Sequence, residues 1–307
     1  IMPLAKAQPQ IAFTEQKTDK IDKPHVYTIL PGTADWLELG SLDARRAACY
    51  ISIEEAESMT TSALADSVLN YPFLIDIYAF NTIEEGISIV SRRFPAITVL
   101  MDRNDATEAL NNLSCVYSIN NDEIRVLCAR TLVKQICENN RKFPYLIKGT
   151  TTTVTTPKGH SVLAYYNCTW YDWGTSQATE TTIAYQFLQL YPSSTILAMP
   201  SPKYNCHSYS FYQQQTSNKY WIPDPIEYVV DNSYLQTTKQ VGRVISYDTL
   251  TMFVHSGIIV TSGSTDSTTV VKSKWAQNAL FTHNANDCPY YDSINYFLFR
   301  YYKPNPN

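Results

Sequence analysis

Lys203–Tyr212 reads KYNCHSYSFY: a cysteine beside a histidine, set among aromatic residues, directly after the turn-forming run Pro200-Ser201-Pro202. The hinge before Cys206 and the run CHSYSFYQQQ after it predict a helix that begins at about the cysteine. A thiol at a helix start lies at the positive end of the helix dipole, which favours its ionised form. The residue types leave four roles open for Cys206: nucleophile, metal ligand, half of a disulfide, or an ordinary buried thiol. The segment also bears on the fold class, because four strand-like runs lie downstream of it.

RVISYD, TMFVHSGIIV, TTVVKSKW and INYFLFRYY are four strand-like runs separated by Asp, Gly, Ser and Asn. Several alternate in polarity, as expected of an antiparallel sheet with one covered face. Upstream, GTTTTVTTPKGHSVLAYYNCTWYDW is rich in β-branched and aromatic residues around a Pro-Lys-Gly turn and predicts a hairpin. TSQATETTIAYQFLQLYP places Ile183, Phe187 and Leu190 on one helical face and stops at Pro192. The C-terminal half is therefore expected to be α+β.

Residues 46–145 carry helical signals. Ser52 with Glu55 forms a capping box for a segment running to Tyr71-Pro72, and Asn81 is expected to cap NTIEEGISIVSRRFP. Asp105 with Glu108, and Asp122-Glu123, open two further helices, with the acidic residues placed as the dipole favours. Residues 1–45 are polar and Pro-containing and are expected to form an extended arm. Ala5-Lys6-Ala7 matches the small-x-small pattern of a signal-peptide cleavage region. The expected organisation is an arm (1–45), an α-helical domain (46–145) and a chemistry-bearing domain (146–307).

The 307 residues carry a formal charge of −4, with only 17% Asp, Glu, Lys and Arg and 23 tyrosines. General nucleic-acid binding lacks its basic footprint. No apolar run approaches the roughly 20 residues needed to cross a bilayer. Seven cysteines, an odd number, leave at least one unpaired within a monomer. Nucleotide-binding Gly loops and a Gly-x-Ser-x-Gly elbow are absent from the sequence.

His255, inside the apolar run TMFVHSGIIV, is the candidate general base for a Cys206 thiolate. His207, one residue from Cys206, points about 100° away on a helix and is not expected to act as the base. His283 is the candidate third member that orients His255, with Ser273 as the alternative. His160 and His25 are expected at the surface and in the arm. The competing readings are a satisfied core histidine at 255, a Cys206–Cys288 disulfide, and a zinc site built from Cys206, His255, His283 and Cys288.

The order YNCHSYSFY, NKYWIPDPIEYVVDNSY, FVHSGIIV, KSKW and a late histidine with CPY resembles exported bacterial papain-like cysteine peptidases and amidases of the NlpC-like and CHAP-like kind. The resemblance covers roughly residues 160–291. It implies a papain-like domain with a helix-borne cysteine packed on an antiparallel sheet, Cys206 as nucleophile, His255 as base, and His283 in the third position. One departure is that Gly242 is followed by Arg243, where such domains usually carry Gly-Asp before the strand that leads to the histidine. The implied activity is hydrolysis of an amide bond in a cell-wall or other short peptide, outside the cell or at its surface, with no metal or organic cofactor. Trp221 and the aromatic stretch 220–228 are candidates to wall the substrate groove. A binding or adhesin-like module, and an acyl transferase using the same dyad, are the alternatives.

Overall fold

The computed structural model describes residues 20–139, 149–170, 174–249, 252–293 and 298–306. The Ala5-Lys6-Ala7 pattern and the first part of the expected arm lie outside the described residues. Helices dominate the first half: α1 (Ala34–Glu38), α2 (Leu42–Ala48), α3 (Ile53–Ser58), α4 (Thr61–Leu69), a 3-10 helix (Pro72–Ala79), α5 (Ile83–Arg93), α6 (Ala96–Met101), α7 (Ala106–Ile119) and α8 (Glu123–Asn139). The hairpin β1 (Thr150–Thr155) and β2 (Ser161–Tyr166) follows, then α9 (Gln177–Leu190) and β3 (Thr195–Ala198). A helical turn carries Cys206. Beyond it come β4 (Tyr220–Trp221), α10 (Ile226–Val230), β5 (Tyr234–Thr237), β6 (Val244–Asp248), β7 (Phe253–Thr261), β8 (Val270–Lys274), β9 (Leu280–Asn284) and β10 (Leu298–Pro304). The α+β expectation holds, with antiparallel sheets.

The main sheet has the order β3-β9-β8-β7-β6-β10-β5, and β1-β2-β4 form a smaller sheet. Each face of the main sheet is covered. On one face, Tyr247, Trp275 and Phe281 join a core that includes Leu64, Phe73, Ile87 and Phe94 from the helical half. On the other, Val244, Ile258 and Leu280 pack with Tyr204, Tyr209 and Phe211 from the Cys206 segment. The expected division at 145/146 therefore has residues from both sides in one core. Buried charged contacts add to it. Arg45 pairs with Asp287 and Arg93 with Asp292, while Arg46 donates to the Tyr291 carbonyl at 2.7 Å.

Three local expectations change. The arm is not extended over its described part. Thr33 and Ser41 cap α1 and α2, and Trp36 is buried with its indole N–H on the Leu190 carbonyl. An apolar anchor and two caps are enough to order a polar segment. The helix expected from Ser52 to Tyr71 is broken at Met59, whose extended backbone ends α3, and Thr60 caps α4 afresh. Thr82, not Asn81, caps α5 through its hydroxyl on the Glu85 N–H.

Helix α5 packs against the 3-10 helix at Gly86, where an added Cβ would sit 2.2 Å from the Ile77 carbonyl oxygen. That atom is backbone and cannot swing aside. Gly86→Ala is expected to destabilise the protein by about 3 kcal/mol through overpacking, read as a lowered denaturant midpoint. An unchanged midpoint would show that the two helices separate freely.

Candidate functional site

The Cys206 turn is built by Asn205. Its side-chain oxygen accepts the Ser208 N–H at 3.1 Å and the Ile222 N–H at 3.2 Å, and its amide donates to the Ile222 carbonyl at 2.7 Å. The Asn205 N–H in return donates to the Ser208 hydroxyl at 3.2 Å, completing a reciprocal cap. Cys206 thus occupies the first helical position, where the sequence pattern placed it. The turn then widens, with the Gln213 N–H reaching back five residues to the Ser208 carbonyl.

The sulfur of Cys206 is 1% exposed and faces three donors: the backbone N–H groups of Ser256 and His207 and the side chain of Asn81. These favour a thiolate, but burial dominates and Glu85 adds like charge, so the thiol is pushed up to about 12. The Ser256 N–H is free for this contact because β7 pairs with β8 only from Ile258↔Lys272 onward. Cys206 packs where the two strands part. That N–H belongs to the peptide bond joining His255 to Ser256, which sets thiol and histidine beside one backbone unit.

His255 is fully buried, and among the described residues neither ring nitrogen has a hydrogen-bond partner. Its ring lies flat on Tyr290, with centroids 3.5 Å apart and planes 3° apart, and Tyr290 donates its hydroxyl to the Ala79 carbonyl. Burial holds the imidazole well below its ordinary value, and His283 and His207 push the same way. The ring is neutral and not bonded to Cys206 in this arrangement.

His283 sits on β9 close enough to His255 to act on it electrostatically, but it does not orient it. Its Nε2 meets the Ser273 hydroxyl at 2.8 Å and its Nδ1 meets the Asn284 carbonyl at 2.8 Å. Trp275 donates to Ser273 at 3.1 Å, so Ser273 gives its proton to His283 and is engaged as well. Neither candidate for the third position is hydrogen-bonded to His255 among the described residues. The cross-strand register β8–β9, with Val271 opposite His283, turns this pair toward each other. His207, which sequence placed away from the base position, is buried with Nδ1 3.0 Å from the Ser256 hydroxyl, and burial pushes it down to about 3. His160 is exposed beside Glu227, and His25 contacts Glu55 at 2.8 Å.

Cys206 and Cys288 are both free thiols, so the Cys206–Cys288 disulfide is not formed. Among the described residues, no three His, Cys, Asp or Glu side chains are gathered as metal ligands. Two participants had no separate signal in the sequence. Asn81, released from capping α5, accepts the Asn205 amide at 3.0 Å and touches Cys206. Lys274, fully buried, donates to the carbonyls of Ser201 and Ala276 at 3.0 and 2.8 Å and to that of Asn278, with its Nζ over the Tyr204 ring. Three carbonyl acceptors match an ammonium, although burial pulls Lys274 down to about 7.

A cavity of about 400 Å³ opens beside Asn81 and Glu85, walled by Trp221, Pro223, Phe253 and Val254. Trp221 is among its walls, and residues 20–45, the described part of the expected arm, are not. Cys206 is not itself a wall of this cavity, but Asn81, which is, reaches its sulfur, and Glu85 acts on it electrostatically. Glu85 is pushed up to about 7 by burial, so it is ionised at pH 8.5. Glu85→Gln keeps the capping geometry but removes that charge. It is expected to raise the thiolate fraction of Cys206 about threefold at pH 8.5, measured as the rate of methyl methanethiosulfonate modification of the Cys206 peptide. An unchanged rate would place Glu85 outside the thiol's field.

No helix among the described residues is long and apolar enough to cross a membrane. No protein-family model, curated protein or solved structure matches the chain.

Proposed function

We propose that the protein is an exported thiol hydrolase of the papain-like class that cleaves an amide bond in a cell-wall or other short peptide. Cys206 is the nucleophile and His255 the base. One observation carries this reading: the N–H of the His255–Ser256 peptide faces the Cys206 sulfur, while the adjoining imidazole is buried with both nitrogens unengaged. Core packing alone gives no reason to keep an unpaired imidazole there, because each unsatisfied buried polar group costs about 1–3 kcal/mol.

In this mechanism His255 takes the thiol proton as the sulfur attacks the substrate carbonyl carbon. The C=O electron pair moves onto oxygen, and N–H groups around Cys206 stabilise the resulting oxyanion. Collapse breaks the C–N bond, with the His255 proton passing to the leaving amine. Water, deprotonated by His255, then hydrolyses the thioester and regenerates the thiol. Contact between the imidazole and sulfur has to tighten on substrate binding, as is common for catalytic pairs.

A second reading is favoured by the covered thiol. A binding module that keeps the fold has no use for an accessible sulfur, and Cys206 is 1% exposed. Product analysis separates the two. Incubation with peptidoglycan stem peptides and mass spectrometry in H₂¹⁸O is expected to show one ¹⁸O atom in the new carboxylate. Intact peptides throughout would favour the binding module, and products formed only with an added amine would favour acyl transfer.

A further inference from the structure

The cavity beside Cys206 does not end at α5. A second hollow of about 370 Å³ lies along the same helix, and Glu84, Ser88 and Arg92 line both. These three residues recur every four positions and so form one stripe, with Glu84 and Arg92 about 12 Å apart along the axis. The stripe is thus a wall common to both hollows, and the first hollow forms a groove along it. Its charge is polarised. Glu84, Glu85 and Asp224 gather at the end nearer Cys206, and among the described residues Arg92 is the only basic residue in the lining of either hollow. Among the described residues, neither Glu84 nor Arg92 has an ion-pair or side-chain hydrogen-bond partner, whereas Arg93 next door is spent on Asp292. The walls at the Cys206 end, Trp221, Phe253 and Met252, suit the flat or apolar body of a chain between two charges.

We infer that this groove takes a short extended peptide in one direction. A positive group sits against Glu84 and Asp224 near the sulfur, and a carboxylate sits on Arg92 about four residues away. An extended strand advances about 3.3 Å per residue, so four residues span the distance between the charges. The inference rests on the proposed hydrolase reading for the identity of the end at which cleavage occurs. The groove itself requires no turnover.

Calorimetric titration of the Cys206→Ala protein keeps the two questions apart. The probes are the peptide amide Lys-Ala-Ala-Glu, its reversed sequence, and versions in which the terminal amine is acetylated or the glutamate is replaced by glutamine. The forward peptide is expected to bind at least tenfold more tightly than the reversed one and than the glutamine version. Arg92→Ala, at an exposed position, is expected to reduce the glutamate preference to within twofold, and Arg92→Lys to restore most of it. Loss of binding on acetylation assigns the positive group to the α-amine, while retention assigns it to the lysine side chain. Equal affinity for the forward and reversed peptides, no binding of any probe, or a glutamate preference that survives Arg92→Ala would overturn the assignment. Binding with the expected polarity but no cleavage by the wild-type protein would sink the hydrolase reading and leave the groove intact.

Discussion

Cys206→Ala is expected to reduce amide hydrolysis at least about a thousandfold, as loss of a covalent nucleophile generally does. Cys206→Ser is expected to be as inactive, because a buried hydroxyl is far harder to ionise than a thiol. Neither change should disturb the fold. The turn is held by Asn205, Ser208 and Ile222, none of which bonds through the sulfur. The separating measurement is activity alongside the denaturant midpoint. Activity lost with the midpoint retained places the sulfur in the chemistry. Activity retained in either variant sinks the nucleophile reading. A large fall in the midpoint would instead make Cys206 a packing residue, the reading its 1% exposure supports by itself.

What could be read from the chain divides by sequence separation. The Cys206 helix start was legible from the hinge before it and the run after it, and the cap that forms it, Asn205 with Ser208, is equally local. The strand around His255 was legible from its β-branched run, since such side chains pack well on a pleated surface. Tertiary pairing was not legible. Asn81 and Thr82 are both good cap residues, and local rules cannot choose between them. Thr82 takes the cap, and Asn81 bonds a residue 124 positions away. His283 looked free to orient His255, but the register of β9 against β8 commits it to Ser273. The strands β3 and β9 went unnoticed for a related reason. TILA and LFTHN are short, and they become strands by pairing with one another at the sheet edge and, for β9, with β8. Likewise the helical half looked like a separate domain because its amphipathic stripes are visible locally, whereas the sheet face that covers them is not.

His255→Phe is expected to make the protein more stable and inactive together. Phenylalanine preserves the flat contact with Tyr290 and removes two buried nitrogens that have no partner. Relief of that desolvation is expected to raise the unfolding free energy by about 1–3 kcal/mol. The gain should depend on pH with a definite sign. The folded-state pKa of His255 lies well below its ordinary value near 6.5, so the unfolded chain binds the proton first as pH falls. Wild-type stability therefore loses up to about 1.4 kcal/mol per pH unit from this residue below pH 6.5, and the variant is spared that loss. Comparing variant with wild type cancels the other titrating groups, including Glu85 and Asp248, which are both raised to about 7 and act in the opposite sense. Urea midpoints at pH 7.5, 6.0 and 5.0 should show a gap that widens downward in pH. Thiol-dependent hydrolysis should fall at least about a thousandfold over the same preparations, because neither proton transfer then has a carrier. Stability that rises while activity persists would leave His255 a costly packing residue and remove it from the mechanism. Stability that falls would mean that the imidazole nitrogens are engaged in solution, and the argument from their isolation would be lost.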